Sequence, residues 1–197
     1  SFLDDQETEP EFVYGTIKTS RIINGHSIEN PAKNDLYFII SHRFGRINEG
    51  AYNFFGLDFS TIRLGFDYGL SDRIAIGIGR SSYQKNVDGF IKIKLLRQTS
   101  KSGKVPFSLS WLSSVDVYGL KWINRDFNHQ TFHRLTYINQ FILARKFSPR
   151  ISLQLSPVYI HKNLVKNDDQ LNEIFAAGMG GRIKLTNRIS LNSEYYY

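Results

Sequence analysis

Cysteine is absent from the 197 residues, which removes disulfides, thiolate metal sites and cysteine nucleophiles together. Long apolar runs are missing too. The longest are a few residues, far short of the ~18 that a transmembrane helix requires. No stretch of Pro, Ser or Gly divides the repeating part, so one domain is expected over residues 13–197. Residues 1–12 contain no Lys or Arg but include Asp4, Asp5, Glu7, Glu9 and Glu11. Such a segment has little to bury and is expected to be a disordered acidic tail. The net charge of +7 leaves +12 for the remainder once those five carboxylates are set apart. Its Lys and Arg are scattered, without a basic helix or nucleic-acid motif, so nucleic acid is not an expected partner. Lipopolysaccharide phosphates at an outer surface account for the charge equally well. Ser1 opens no charged n-region and apolar h-region, so any export signal is expected to have been removed already or to lie outside this sequence.

What the chain does have is a seven-residue pattern that occurs three times. Its copies are Leu70-Ser71-Asp72-Arg73-Ile74-Ala75-Ile76, Phe147-Ser148-Pro149-Arg150-Ile151-Ser152-Leu153 and Leu185-Thr186-Asn187-Arg188-Ile189-Ser190-Leu191. Each reads as an apolar strand end, a tight polar turn, an Arg and a new alternating strand. In Thr61-Ile62-Arg63-Leu64-Gly65-Phe66-Asp67-Tyr68 every second residue is large and apolar, the period of a strand with one apolar face. Hairpins with short turns on one side and longer polar loops on the other predict an all-β, antiparallel transmembrane β-barrel with its apolar face toward lipid. The mean hydropathy of −0.31 does not oppose this, because a barrel alternates lipid and lumen residues.

Strands are expected near 15–24, 35–44, 60–69, 73–82, 89–98, 106–116, 131–145, 150–161, 174–185 and 188–197, nine to ten in all. Short connections near 70–72, 99–105, 147–149 and 186–187 would be periplasmic. Longer ones near 45–59, 83–88, 117–130 and 162–173 would be extracellular. Segment 13–24 is ambiguous: the turn-like run Gly25–Asn34 would make it enter from outside, so it is either a wall strand or a piece inside the lumen or periplasm. Parity places Ile62, Leu64, Phe66, Ile76, Ile91, Leu109 and Trp111 toward lipid. The opposite parity makes Arg63, Asp67, Lys92, Lys94, Arg134, Gln140, Arg182 and Lys184 lumen-lining. Alternate glycines in Gly77-Ile78-Gly79 and Gly178-Met179-Gly180 leave room on that side for an inserted segment, for which the N-terminal region is available. Phe44, Tyr68, Tyr83, Phe147, Tyr159, Phe175 and Tyr195 fit interfacial girdles. A soluble ligand-binding barrel has the same period with the apolar parity inward. Long charged residues beside glycines suit a wet or plugged lumen better.

Four segments are recognisable together: Arg21-Ile22-Ile23-Asn24-Gly25-His26-Ser27-Ile28-Glu29, Ile40-Ser41-His42-Arg43-Phe44-Gly45-Arg46-Ile47-Asn48, Lys94-Leu95-Leu96-Arg97-Gln98, and Leu191-Asn192-Ser193-Glu194-Tyr195-Tyr196-Tyr197. In combination they resemble a Bacteroidota outer-membrane β-barrel family, a domain of unknown function, from about residue 16 onward. The resemblance implies the outer membrane of a Gram-negative bacterium and a barrel of about a dozen strands, of which this chain would lack the C-terminal ones. It carries no substrate, cofactor or catalytic residue.

Chemistry is sparse in the remaining motifs. His129 and His133 are four apart but lie where a loop runs into a strand, with no HExxH and no third ligand. Asp168-Asp169 reads as a solvated loop, and Ser156 and His161 fall on opposite parities of one strand. No enzyme, metal or cofactor is therefore expected. Two functions remain open: a porin- or channel-like barrel with an unassigned solute, and a plugged barrel serving as a structural or assembly subunit of a larger outer-membrane complex. The expected partners are outer-membrane lipid, lipopolysaccharide and other envelope proteins.

Overall fold

The computed structural model describes residues 11–100, 105–121, 130–165 and 171–197. Nine antiparallel strands follow one another in chain order across one sheet: β1 (Leu36–Phe44), β2 (Ser60–Gly69), β3 (Ile74–Ser81), β4 (Val87–Leu96), β5 (Ser108–Val117), β6 (Leu135–Lys146), β7 (Ile151–Lys162), β8 (Glu173–Lys184) and β9 (Ser190–Tyr196). β1 and β9 are its edges, and the sheet forms a half-barrel. Among the described residues no helix is long and apolar enough to cross a membrane.

Nine of the ten expected strands are present, with ends moved by a few residues. The tenth, 15–24, is not a wall strand: it bends through the concave side of the sheet and makes only the isolated bridge Arg21↔His26. Arg134 also differs from expectation. It belongs to a single 3-10 turn, Thr131–Arg134, ahead of β6, and its Nη1 donates to the carbonyls of Tyr118 and Leu120 at 2.8 and 2.6 Å. Arg134 therefore holds a long connection in place and does not line the wall. Residues 1–10, most of the 117–130 connection and the Asp168-Asp169 pair lie outside the described residues.

Register turns the sequence parity into two surfaces. Phe66 stands opposite Phe38 and Ile78, and Asp67 opposite Tyr37 and Gly77. The first set is exposed on the convex side, whereas Asp67 is 0% and Lys92 1% exposed on the concave side. Apolar out and charged in is the reverse of a soluble barrel.

The three copies of the heptad build the same turn. Leu70, Phe147 and Leu185 donate their backbone N–H to the carbonyls of Ile74, Ile151 and Ile189. In each, the hydroxyl of the next residue accepts two further N–H groups. Ser71 Oγ takes those of Arg73 and Ile74 (3.3 and 3.1 Å), Ser148 Oγ those of Arg150 and Ile151 (3.2 and 3.1 Å), and Thr186 Oγ1 those of Arg188 and Ile189 (3.2 and 3.0 Å). A short polar side chain that caps its own turn explains why Ser or Thr occupies that position each time. Removing it gives up two hydrogen bonds that fix an exposed turn, so Ser148→Ala is expected to lower stability by ~0.5–1.5 kcal/mol, read as a lower urea midpoint for unfolding from micelles.

Candidate functional site

The concave face is occupied by the N-terminal segment. Residues 11–34 enter at the end of the sheet with the short turns, rise through it, reverse and return to the same end. Entry is fixed by the bridge Phe12↔Thr99 and by Val13 N–H to the Gln98 carbonyl at 2.8 Å. The reversal is a small hairpin, in which Ile22 N–H donates to the Gly25 carbonyl and Ser27 N–H to the Ser20 carbonyl, both at 3.0 Å. The return leg ends at Asn34, whose N–H donates to the Gly69 carbonyl at 2.8 Å. This path removes the ambiguity of segment 13–24: both its legs lie inside, and β1 starts from the short-turn end.

Four wall strands grip this hairpin through polar side chains. Lys92 of β4 donates its ammonium to the carbonyls of Ser27, at 3.1 Å, and Glu29. Arg21 Nη1 lies 2.9 Å from Asp67 Oδ2 of β2, an ion pair whose angle is not that of a hydrogen bond, while Nη2 donates to Oδ1 at 3.4 Å. Gln154 of β7 accepts the Ile28 N–H at 3.0 Å and donates to the His26 carbonyl at 2.8 Å. Glu194 of β9 receives three successive N–H groups at the hairpin tip: Ile23 at 3.2 Å, Asn24 at 2.8 Å and Gly25 at 3.1 Å. A carboxylate in such a nest of backbone donors is held without a cation. Asn24 then reaches the opposite edge, where its Oδ1 accepts Arg43 Nε of β1 at 3.0 Å. The two edge strands are thus tied through the hairpin tip.

Apolar packing completes the filling. Ile28 joins Phe90, Leu112, Ile142 and Ala144 in one buried cluster, and burial of such an isoleucine contributes ~1.5–3 kcal/mol. The glycines make the space: a Cβ on Gly180 would lie 2.4 Å from Ile22 Cδ1, and one on Gly69 would lie 2.0 Å from the Ala32 carbonyl oxygen. The latter neighbour is backbone and cannot swing away. Gly69→Ala is therefore expected to cost ~1–3 kcal/mol, the scale of overpacking, and to weaken protection of residues 31–34 against hydrogen exchange.

The predicted lumen residues fall into distinct roles. Lys92 and Asp67 hold the hairpin, and Lys94 pairs with Glu29 at 3.6 Å. Arg63 forms a two-point pair with Asp88, its Nε donating at 2.7 Å, and its guanidinium occupies the space above Gly65 and Gly79. Gln140 is 6% exposed and its Nε2 approaches Tyr196 Oη at 3.5 Å. Arg182 faces inward opposite Ser152 and Asn192 with a buried Nε that has no hydrogen-bond partner among the described residues, and Lys184 stands opposite Ser190 near the short turns. Sequence reading missed Glu194 and Gln154 as holders, and His26. That imidazole sits edge-on to Phe90 at 4.5 Å. Burial, then the positive charges of Arg21, Lys92 and Arg63, push it well below the usual histidine range, so the hairpin adds no further cation at neutral pH.

Elsewhere, Ser156 Oγ accepts Gln154 Nε2 at 3.2 Å on the inner face, while His161 lies 4.0 Å from Glu173 on the outer one. They do not converge. His133 Nδ1 accepts the Gln130 N–H at 3.3 Å, and His129 is outside the described residues. Among the described residues no three His, Asp or Glu side chains are grouped as metal ligands.

A family model described as a membrane bound beta barrel domain (DUF5777) matches residues 17–197, and so includes both the inner hairpin from Ile17 and all nine strands. No curated protein and no solved structure matches.

Proposed function

The chain belongs to this family of membrane-bound β-barrel domains of unknown function, and on that premise we propose that it is a non-enzymatic barrel of a Gram-negative outer membrane, kept closed at rest by its own N-terminal hairpin. The observation that carries this reading is the set of contacts from Lys92, Asp67, Gln154 and Glu194 to residues 21–29. Filled space of this kind suits a structural or assembly subunit among envelope proteins, surrounded by lipid and lipopolysaccharide, better than a constitutive diffusion pore.

A channel-like role is favoured by one feature. Lys92, Lys94, Lys146, Arg182 and Lys184 leave the inner face with more positive than negative charge, a field that would favour anions once the hairpin moves. Full-length protein in planar bilayers is expected to be silent at modest voltage, and deletion of residues 11–34 to give anion-favouring conductance. Steady conductance by the unaltered protein would replace the closed reading with the porin-like one.

A further inference from the structure

We infer that the outer face of β6–β9 binds one glycerophospholipid from the leaflet at the short-turn end, with an acyl chain in a hollow over Gly181 and its phosphodiester against Arg145. The inference rests on the membrane placement above but not on the closed lumen. Register explains the hollow. Arg145, Leu153, Gly181 and Ser193 stand side by side on the outer face of four successive strands. Elsewhere on this face large side chains oppose one another, as Trp111 and Phe141 do. At Gly181 and Ser193 two successive strands offer almost nothing. Met179 and Tyr195 rise on one side of the gap, and Ile183 and Leu191 on the other. The resulting hollow has a volume of about 670 Å³, inside the ~300–1,000 Å³ range of small-molecule sites.

Arg145 gives the hollow a chemical preference. It lines the hollow, points outward two residues before Phe147, and its guanidinium lies 5.0 Å from that ring centroid. Among the described residues no carboxylate forms an ion pair with it. A cation on a lipid-facing strand near its end is favoured where an anion can meet it, and the planar guanidinium fork matches two phosphate oxygens. Phe147 at the strand mouth marks the headgroup level. An acyl chain running from that level toward Met179 has apolar walls along its course.

The test uses full-length protein reconstituted in bilayers of phosphatidylethanolamine and phosphatidylglycerol, extracted into dodecyl maltoside and weighed intact by native mass spectrometry. One retained phospholipid per chain is expected. Arg145→Gln is expected to reduce the retained fraction about tenfold, the order of one charge-assisted contact. Gly181→Leu, which fills the hollow, is expected to abolish retention; its Cβ would stand 3.0 Å from Leu153 Cδ2, a flexible end that can move aside. Ser193→Leu fills the same space from β9 if Gly181→Leu fails to fold, and Ile62→Leu on β2 is expected to leave retention unchanged. Retention unaffected by both the charge and the filling variants overturns the site. A dimer mass without lipid, or exclusive retention of lipid A when both lipids are supplied, overturns the assignment of its occupant. Wild-type conductance would sink the closed-lumen reading while leaving this site standing, and loss of lipid specificity would do the opposite.

Discussion

Replacing Lys92 by Met is expected to loosen the inner hairpin by on the order of 3 kcal/mol, the scale for removing one member of a buried charge-assisted set. The methionine fills nearly the same stem but donates nothing. The carbonyls of Ser27 and Glu29, which share the Lys92 ammonium, would then be left facing a thioether in a site where water has little access. The expected result is faster amide exchange over residues 20–29 and the appearance of intermittent bilayer conductance, with the strand amides still protected. Lys94→Met is the matched control. Its ion pair with Glu29 spans 3.6 Å with both side chains partly open to solvent, and such pairs contribute ~0–1 kcal/mol. Equal effects of the two variants would show that charge in general, and not the buried contact of Lys92, holds the segment.

The wall was legible in the sequence because its physics is local. Period-two alternation locates β2 and β3 from Ile62 to Ile78, and the heptad copies predict turns whose Ser or Thr hydroxyls do cap them. The hairpin was not legible as such, because what holds it lies far away along the chain. Arg21 meets Asp67 across 46 residues, Ser27 meets Lys92 across 65, Ile28 meets Gln154 across 126 and Asn24 meets Glu194 across 170. None of these pairings leaves a spacing to read. One signal was available. Alternation fails at Trp111-Leu112 and at Phe141-Ile142-Leu143, where apolar residues occupy both parities. A strand with lipid on one side and a dry filling on the other has that composition. The breaks coincide with the positions where Leu112 and Ile142 pack on Ile28. The glycine alternation pointed the same way, since Gly180 gives its space to Ile22, although Gly77 and Gly79 give theirs to Phe90 and Arg63 of the wall itself.

Register also decides where a charge on the outer face is most costly. By parity alone Leu64 is a natural site for a disruptive Arg and Gln140 a tolerant one, yet neither choice survives the pairing. Leu64 stands directly opposite Arg80 on the outer face, so the chain already places a cation at that level, and the cost of a second is set by repulsion and headgroup contact more than by hydrocarbon. Gln140 is buried on the inner face beside Tyr196 of β9. Phe141 is the better site. It lies midway along β6, is 49% exposed on the outer face and has Trp111 as its partner on β5. Phe141→Arg is expected to cost ~2–4 kcal/mol, the figure for Arg at the midplane of a barrel's lipid face, and Leu64→Arg ~0–1 kcal/mol, the figure near an interface. Urea titration of folding into bilayers, with folded protein scored by its anomalous electrophoretic mobility, measures both. The ordering matters more than either value. A larger loss at Leu64 than at Phe141 would place the centre of the membrane at the Leu64–Arg80 level, and with it a native arginine in hydrocarbon at a standing cost of ~2–4 kcal/mol.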